Sequence, residues 1–586
     1  MVGLVGSFFW AKSVVTNFLS FLLFCLYNAV DVSIIVVIMY IDIAKSGKYK
    51  RVLLRESYRE NGKVKKRTVA NISHCQDEVV MALQIALRNV DKMEAVLNGQ
   101  VEAGLCHGKS VGAVFTAVEI ARRIGIAESL GRGRQADLAF WQIVARLIEQ
   151  GSRLSAVRLG EVHALAEAIG LEKGFCEDDL YKNLAWLADN QEKIEDRLFK
   201  NSKNSRKDHA EQIDLFLYDV TSSYLEGTHN ELGAYGYNRD GKKGKMQIVI
   251  GLLCDKKGEP VSVQVFSGNT SDVTTFGDQI KKVATRFGCQ RVTFVGDRGM
   301  IKSAQKADLA GADFNYITAL TRKQIESLEK KGVIQLGLFD EKLCEVEKDS
   351  QRYILRRNPC RAEDIAETRS SKKESIAKLV RKKNEYLSEH PGAKVEIALR
   401  DINQKIEKLN CSWLRVESQG REIVILTDAD MLMELSRLDG CYVITTNLPA
   451  AVISAEDAHA CYKDLSKVER AFRESKTGHL ELRPIYVRTE KSTRGHVFVV
   501  MLAYLLRREL ERAWDKIDVT MEEGLNCLAT LSSVEMCQAN GVAIERVPAP
   551  QGLCGKLLDA LKLSLPDKIF RRKLKVSTKT KTRKRT

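Results

Sequence analysis

Two aspartates close apolar runs: Asp219 follows Leu215-Phe-Leu-Tyr218, and Asp297 follows Val292-Thr-Phe-Val-Gly296. The first acid after a buried strand stands where the chain emerges at a sheet edge, so neighbouring strand ends would bring two such carboxylates together over a cleft. Each aspartate has a plainer reading as a helix N-cap, since Thr221, Ser222 and Arg298 lie in turn-like settings. A third acid, Glu469, lies in CYKDLSKVERAFRESKTG, where Tyr462, Glu469 and Lys476 recur every seven residues. On one helix such a set drifts by only about 20° per step and shares a face. Leu465, Phe472 and Arg473 fall near the same stripe. A face that mixes Tyr, Glu, Arg and Lys is poorly explained as a core seam. It suits a metal-binding glutamate flanked by groups that contact the phosphates of a nucleic acid. The alternative is an amphipathic helix with i, i+4 ion pairs such as Glu469 with Arg473.

The elements around these residues follow from periodicity. From Ile213 the runs IDLFLYD, KMQIVIGLLCD, EPVSVQVF, RVTFVGD and DFNYITAL have the period of strands, with a helix predicted near Val273 to Phe287. Three meander strands followed by alternating helix and strand is the ordering of an RNase H-like core. The expected class is therefore α/β, with a mixed five-stranded sheet and flanking helices in parts 210–322 and 441–515. Between 323 and 440 the period breaks down around a charged helix, SIAKLVRKKNEYLSEH, which reads as an inserted subdomain. CYVITTNL and helices over Ala455–Lys476 and Arg494–Trp514 complete the core. Upstream, 76–205 carries four segments with apolar residues at helical spacing, a helical domain that in a DNA enzyme would be the natural candidate for binding DNA ends, although no helix-turn-helix is evident. The polar stretch Lys200–Gln212 closes it. Residues 39–75 alternate apolar and polar, with turns at Ser46-Gly47 and Asn61-Gly62, as a three-stranded meander does. Residues 516–586 are read as a helical region ending in a tail.

Of the +16 formal charge, ten positive charges and no acid lie between Lys568 and Thr586, the pattern of an arm for a polyanion. With 44% apolar and 29% charged residues the chain is globular, and its 586 residues suggest several domains. None of the fourteen cysteines forms C-x-x-C or pairs with histidine at zinc spacing, so neither a zinc site nor a disulfide framework is expected. Residues 1–38 are hydrophobic, but Asp31 interrupts them; we expect translation to start at Met39, with a membrane anchor as the alternative. Weaker candidates are the basic run Asn238–Lys245, Asn269 and Asp272 as caps or supports, and His496 as a packed residue.

The chain resembles the DDE transposases of bacterial insertion sequences, in the group with a Tyr-(2)-Arg-(3)-Glu-(6)-Lys signature. Tyr462, Glu469 and Lys476 match its spacing, while Leu465 stands where the signature has arginine. YDVTSSYLEG, GYNRDGKKGKMQIVIGLLCDKKGEPVSVQVFSGNTSD, VGDRGM and LRPIYVRTEKSTRGHVFVVMLAYLL, in that order, carry the likeness from about Met39 to Trp514. The resemblance implies that Asp219, Asp297 and Glu469 are catalytic and hold two Mg²⁺ ions, with Mn²⁺ able to substitute. It implies cleavage of DNA at the element's terminal inverted repeats and joining to target DNA, by a homodimer in the bacterial cytoplasm at the nucleoid. Tyr462, Arg473 and Lys476, with Arg298, would contact DNA, and Lys467 or Arg473 would replace the missing arginine. Two other classes remain: a DNA-binding regulator that has lost catalysis, and an RNase H-like nuclease. Three carboxylates in a DNA groove argue against the first, because they repel phosphates; the insertion and the helical front region argue against the second.

Overall fold

The computed structural model describes residues 38–569 except 47–48, 61–62, 89–103, 205–213, 288, 290–291, 299, 340–342, 479, 484 and 538–542. The hydrophobic stretch 1–37, most of both meander turns, most of the polar stretch 200–212 and the tail beyond 569 therefore lie outside the described residues. Among the described residues no helix is long and apolar enough to cross a membrane. The chain divides into two compact units, one of 1–104 with 537–542 and the other of the remainder.

In the first unit, β1 (Ile38–Ser46), β2 (Tyr49–Glu60) and β3 (Lys63–Asn71) pair antiparallel in the order β1-β2-β3. Alternation places Val52 inward, where it packs with Ile72 and with Val80 of the helix Asp77–Arg88.

The second unit holds β4 (Gly104–Ser110), then β5 (Asp214–Tyr224), β6 (Gln247–Asp255), β7 (Pro260–Ser267), β8 (Val292–Gly296) and β9 (Asn315–Ala319). The stretch before Glu469 adds β10 (Cys344–Lys348), β11 (Gln351–Arg357), β12 (Leu414–Gln419), β13 (Glu422–Thr427) and β14 (Cys441–Thr446). Strands β15 (Ser532–Cys537) and β16 (Ala543–Arg546) lie near the C-terminus.

The main sheet is mixed, in the order β10-β11-β14-β9-β8-β5-β6-β7. Only β5–β8 and β8–β9 are parallel. The expected five strands are thus eight: β14, which was to complete the core, pairs with β9, and the inserted β11 and β10 continue the sheet beyond it. Between 323 and 440 the helices Pro359–Glu389 and Val395–Lys408 pack with β12 and β13 around Ile376, Ile402 and Trp413, a separate small core.

The central strands are apolar on both faces, as strands covered on both sides must be. Phe216, Tyr218, Phe294 and Tyr316 face one core, with Phe276 of the helix Asp272–Thr285. Leu217, Val295 and Ile317 face the other. That second core also takes in the helices between Gly112 and Ile194 and the buried helix Glu490–Trp514, so the upstream helices share a core with the sheet face. Gly495 permits the crossing: a Cβ there would meet the Leu184 carbonyl oxygen at 2.0 Å. Two regions expected to be helical also contain strands, since β4 pairs with β15 in the order β16-β15-β4. These strands, GLCHGKS, SSVEMC and AIER, hold few β-branched residues and are too short to show a clear period.

Candidate active site

Strand register brings the first two acids together. In the parallel pair β5–β8, Tyr218 is opposite Gly296, so the next residue on each chain, Asp219 and Asp297, leave the pair side by side. Because side chains alternate, both share the face of Leu217 and Val295. The helix Leu465–Thr477 covers that face through Leu465, Val468, Ala471 and Phe472, which belong to the same core, and it presents Glu469. Asp219, Asp297 and Glu469 line one pocket with Arg473 and Lys476, and a second with Tyr462 and Arg298.

Asp219 differs from expectation in one respect. It lies in the middle of a strand, because β5 runs on through Val220, Thr221, Ser222 and Ser223, all buried. Apolarity alone ends at Tyr218, but the hydroxyls that follow find partners: Thr221 Oγ1 accepts from Lys476 at 2.5 Å and Ser222 Oγ from the Arg239 amide at 2.8 Å. Mid-strand placement removes the N-cap reading for Asp219. Its Oδ1 accepts from the Val220 amide at 2.8 Å.

Burial, reinforced by the Asp297 and Glu469 carboxylates, raises the Asp219 carboxyl to about 7, while the Val220 N–H and the Arg239 guanidinium oppose the rise. The Tyr462 hydroxyl donates to Asp297 Oδ1 at 3.3 Å. Burial and the Asp297 charge hold its phenol well above the ordinary tyrosine range.

The helix expected over Ala455–Lys476 is two helices, Ala455–Lys463 and Leu465–Thr477, that meet at Asp464. The seven-residue spacing therefore crosses a break, yet Tyr462 and Glu469 still face one pocket. The remaining expected contacts divide. Arg473 is exposed at the pocket that holds the three acids, and Arg298 at the neighbouring one. Lys476 is buried, and its ammonium donates to Thr221 and, at 3.0 Å, to Asp240. Lys467 points its ammonium to Asp464 and the Lys256 carbonyl, so of the two substitutes for the signature arginine only Arg473 borders the acids. Leu465 itself is buried in the core.

Asp240 and Arg239 have no strong mark in the sequence. Asp240, almost wholly buried, accepts from Lys476, from Arg483 at 2.6 Å and from the Tyr224 amide at 3.2 Å. Arg239 forks onto both oxygens of Asp272 at 2.5 and 2.6 Å. Asp272 is thus an ion-pair partner and not the N-cap, a position held by Ser271. The signal was the turn Asn238-Arg-Asp-Gly241, whose Asn238 side chain accepts from the Asp240 amide.

Residues 210–506 match the transposase DDE domain family. The chain belongs to that family. Residues 41–102 of this transposase match the N-terminal domain of the IS1634 family of transposases. No curated protein matches it. Among solved structures it is similar to a cryo-EM structure of piggyBac transposase in a synaptic complex with hairpin DNA, at 9% identity over 71% of this chain and 78% of that one; the TM-score of 0.33 is too low to show a shared fold. Among the described residues of the transposase, no three His, Cys, Asp or Glu side chains stand close enough to hold a single ion together.

Proposed function

We propose that this transposase cuts and joins DNA strands at Asp219, Asp297 and Glu469, on an RNase H-like core. The observation that carries the reading is that three acids far apart in sequence line one pocket, two of them side by side through strand register. The strand order β7-β6-β5-β8-β9, antiparallel then parallel, supports the core assignment.

An all-oxygen donor set fits Mg²⁺ or Mn²⁺. Asp219, Asp297 and Glu469, which line one pocket, would hold such ions, two in the reading proposed. The raised Asp219 carboxyl supports this, because a cation would offset the burial and repulsion that disfavour its charge. When bound, such ions supply Lewis-acid activation of a nucleophilic oxygen and stabilise the leaving one.

The chain's own residues do the rest. Tyr462 fixes one oxygen of Asp297 through its hydrogen bond. Arg473 and Arg298, exposed at the pocket edges, meet the phosphates on either side. Lys476 acts from beneath, holding β5 through Thr221. A homodimer on paired element ends, with the upstream helices reading the repeats, completes the proposal.

The test is cleavage of a DNA fragment carrying the element's own ends, with Mg²⁺ and with Mn²⁺, by the unmutated chain beside Asp219→Ala, Asp297→Ala and Glu469→Ala. Cleavage lost in all three with end binding retained is the expected result. End binding without cleavage by the unmutated protein under either ion refutes the catalytic reading and favours a regulator.

A further inference from the structure

The three most exposed tyrosines among the described residues, Tyr237 (82%), Tyr486 (73%) and Tyr235 (64%), sit on segments that the backbone brings together. Their grouping follows from backbone pairing. Ala234 pairs with Gln247, whose side-chain amide donates to the Tyr237 carbonyl at 3.1 Å. Leu225, bonded to Met246, pairs with Ile485, the neighbour of Tyr486. Segments 224–226, 234–238, 245–247 and 485–486 therefore run side by side at the ends of β5 and β6.

The segment is pinned. Asn238 donates to the Lys242 carbonyl and accepts from the Asp240 amide, while Asp240 is tied to β5, Lys476 and Arg483. An aromatic ring exposed on a held backbone keeps its flat face open to a partner, and exposed aromatic residues on adjoining segments mark an interaction surface.

The partner's chemistry is written beside the rings. The Arg239 guanidinium lies 5.6 Å from the Tyr237 ring centre, and the Lys242 ammonium 5.9 Å from that of Tyr224. Lys242 and Lys243 are exposed in the same loop. Flat aromatic faces interleaved with cations match a nucleic-acid strand whose bases are free to stack, and duplex DNA offers no unstacked base. The patch is also continuous with the acids, since Arg239, next along the loop, lines their pocket.

We propose that the loop 225–246, with Tyr486, is a platform for single-stranded DNA leaving the carboxylate pocket past Arg239. Tyr237 and Tyr486 stack bases, and the exposed Lys242 and Lys243 follow the backbone. The inference rests on the strand-cutting reading for its substrate, but its test is free of catalysis.

Fluorescence anisotropy of the full chain in EDTA would measure binding of a labelled oligothymidine and of a duplex of equal length. The variants are Tyr237→Ala/Tyr486→Ala, Tyr237→Phe/Tyr486→Phe and, as an exposed tyrosine elsewhere, Tyr181→Ala. Stacking of two bases implies a loss of about 30-fold or more in single-strand affinity for the double alanine variant. The phenylalanine pair and Tyr181→Ala should stay within about twofold of the unmutated chain, and duplex affinity should not change. Unchanged single-strand affinity in the alanine pair overturns the proposal, as does an equal loss in the phenylalanine pair. An equal loss on the duplex makes the patch a duplex surface and also overturns it. Failure of the cleavage test with this result intact would remove only the catalytic reading.

Discussion

Replacing Asp219 by asparagine should stabilise the metal-free transposase, and by an amount that depends on pH. The carboxyl titrates at about 7 in the folded chain against 3.8 for the free group. The folded state therefore binds more protons than the unfolded state between these values, so stability falls as pH rises through that window and stays low above it. Fully expressed, the difference is about 4 kcal/mol above pH 7. Asp219 is half-buried and borders an open pocket, so solvent screening reduces this to about 1–3 kcal/mol. Asparagine keeps the shape and has no charge to bury. In a chain of this size the gain corresponds to a few degrees, about 1–4 °C in the main melting transition at pH 8, shrinking to about a quarter of that near pH 4.5.

Scanning calorimetry in EDTA at the two pH values would read it. Added Mn²⁺ should reverse the order at pH 8, raising the melting temperature of the unmutated chain and not that of the variant. The unmutated chain's gain from Mn²⁺ should weaken below pH 7, where a proton competes for Asp219. A gap between the two proteins that is the same at pH 4.5 and pH 8, or an equal Mn²⁺ gain in both, would refute the reasoning.

Asp240→Ala should cost about 3–5 kcal/mol in urea unfolding, because Lys476 and Arg483 lose a shared buried partner; Asp240→Asn, which can still accept from both, should cost less. Gly495→Ala should destabilise by about 1–3 kcal/mol by forcing the Glu490–Trp514 helix off the Leu184 carbonyl, read as a lower melting temperature with unchanged far-UV circular dichroism. Tyr462→Phe leaves Asp297 without one donor, so in the cleavage assay it should lower the rate more than it weakens end binding, by about 10-fold or less.

Much of this arrangement is written locally. The alternation in β7 and the apolar runs of β5, β6, β8 and β9 mark the central strands because burial on one or both faces leaves a period or an unbroken run. Glu469 stands out through the company of Tyr462, Arg473 and Lys476. What the sequence hides is satisfied polarity. The end of β5 looks like a turn because Thr221, Ser222 and Ser223 are polar, whereas in the fold two of these hydroxyls accept bonds from Lys476 and Arg239. Asp240 looks like a turn residue because its partners, Arg483 and Lys476, lie more than two hundred residues away. Lys476 resembles a phosphate ligand for the same reason: only the fold shows that Asp240 already holds it.

The pairing of β9 with β14 has a consequence for how such a chain can change. Ala319 is opposite Ile444 and Ile317 opposite Thr446, so the excursion between these strands departs and returns at adjacent points. Closing a loop costs entropy only with the logarithm of its length. An insertion or deletion within the excursion can therefore alter the count of residues between Asp297 and Glu469 greatly while leaving their separation in space untouched. Any search for related sites by fixed spacing between those two acids would miss its targets, whereas the short interval from Tyr462 to Lys476, carried on two abutting helices, has no such freedom.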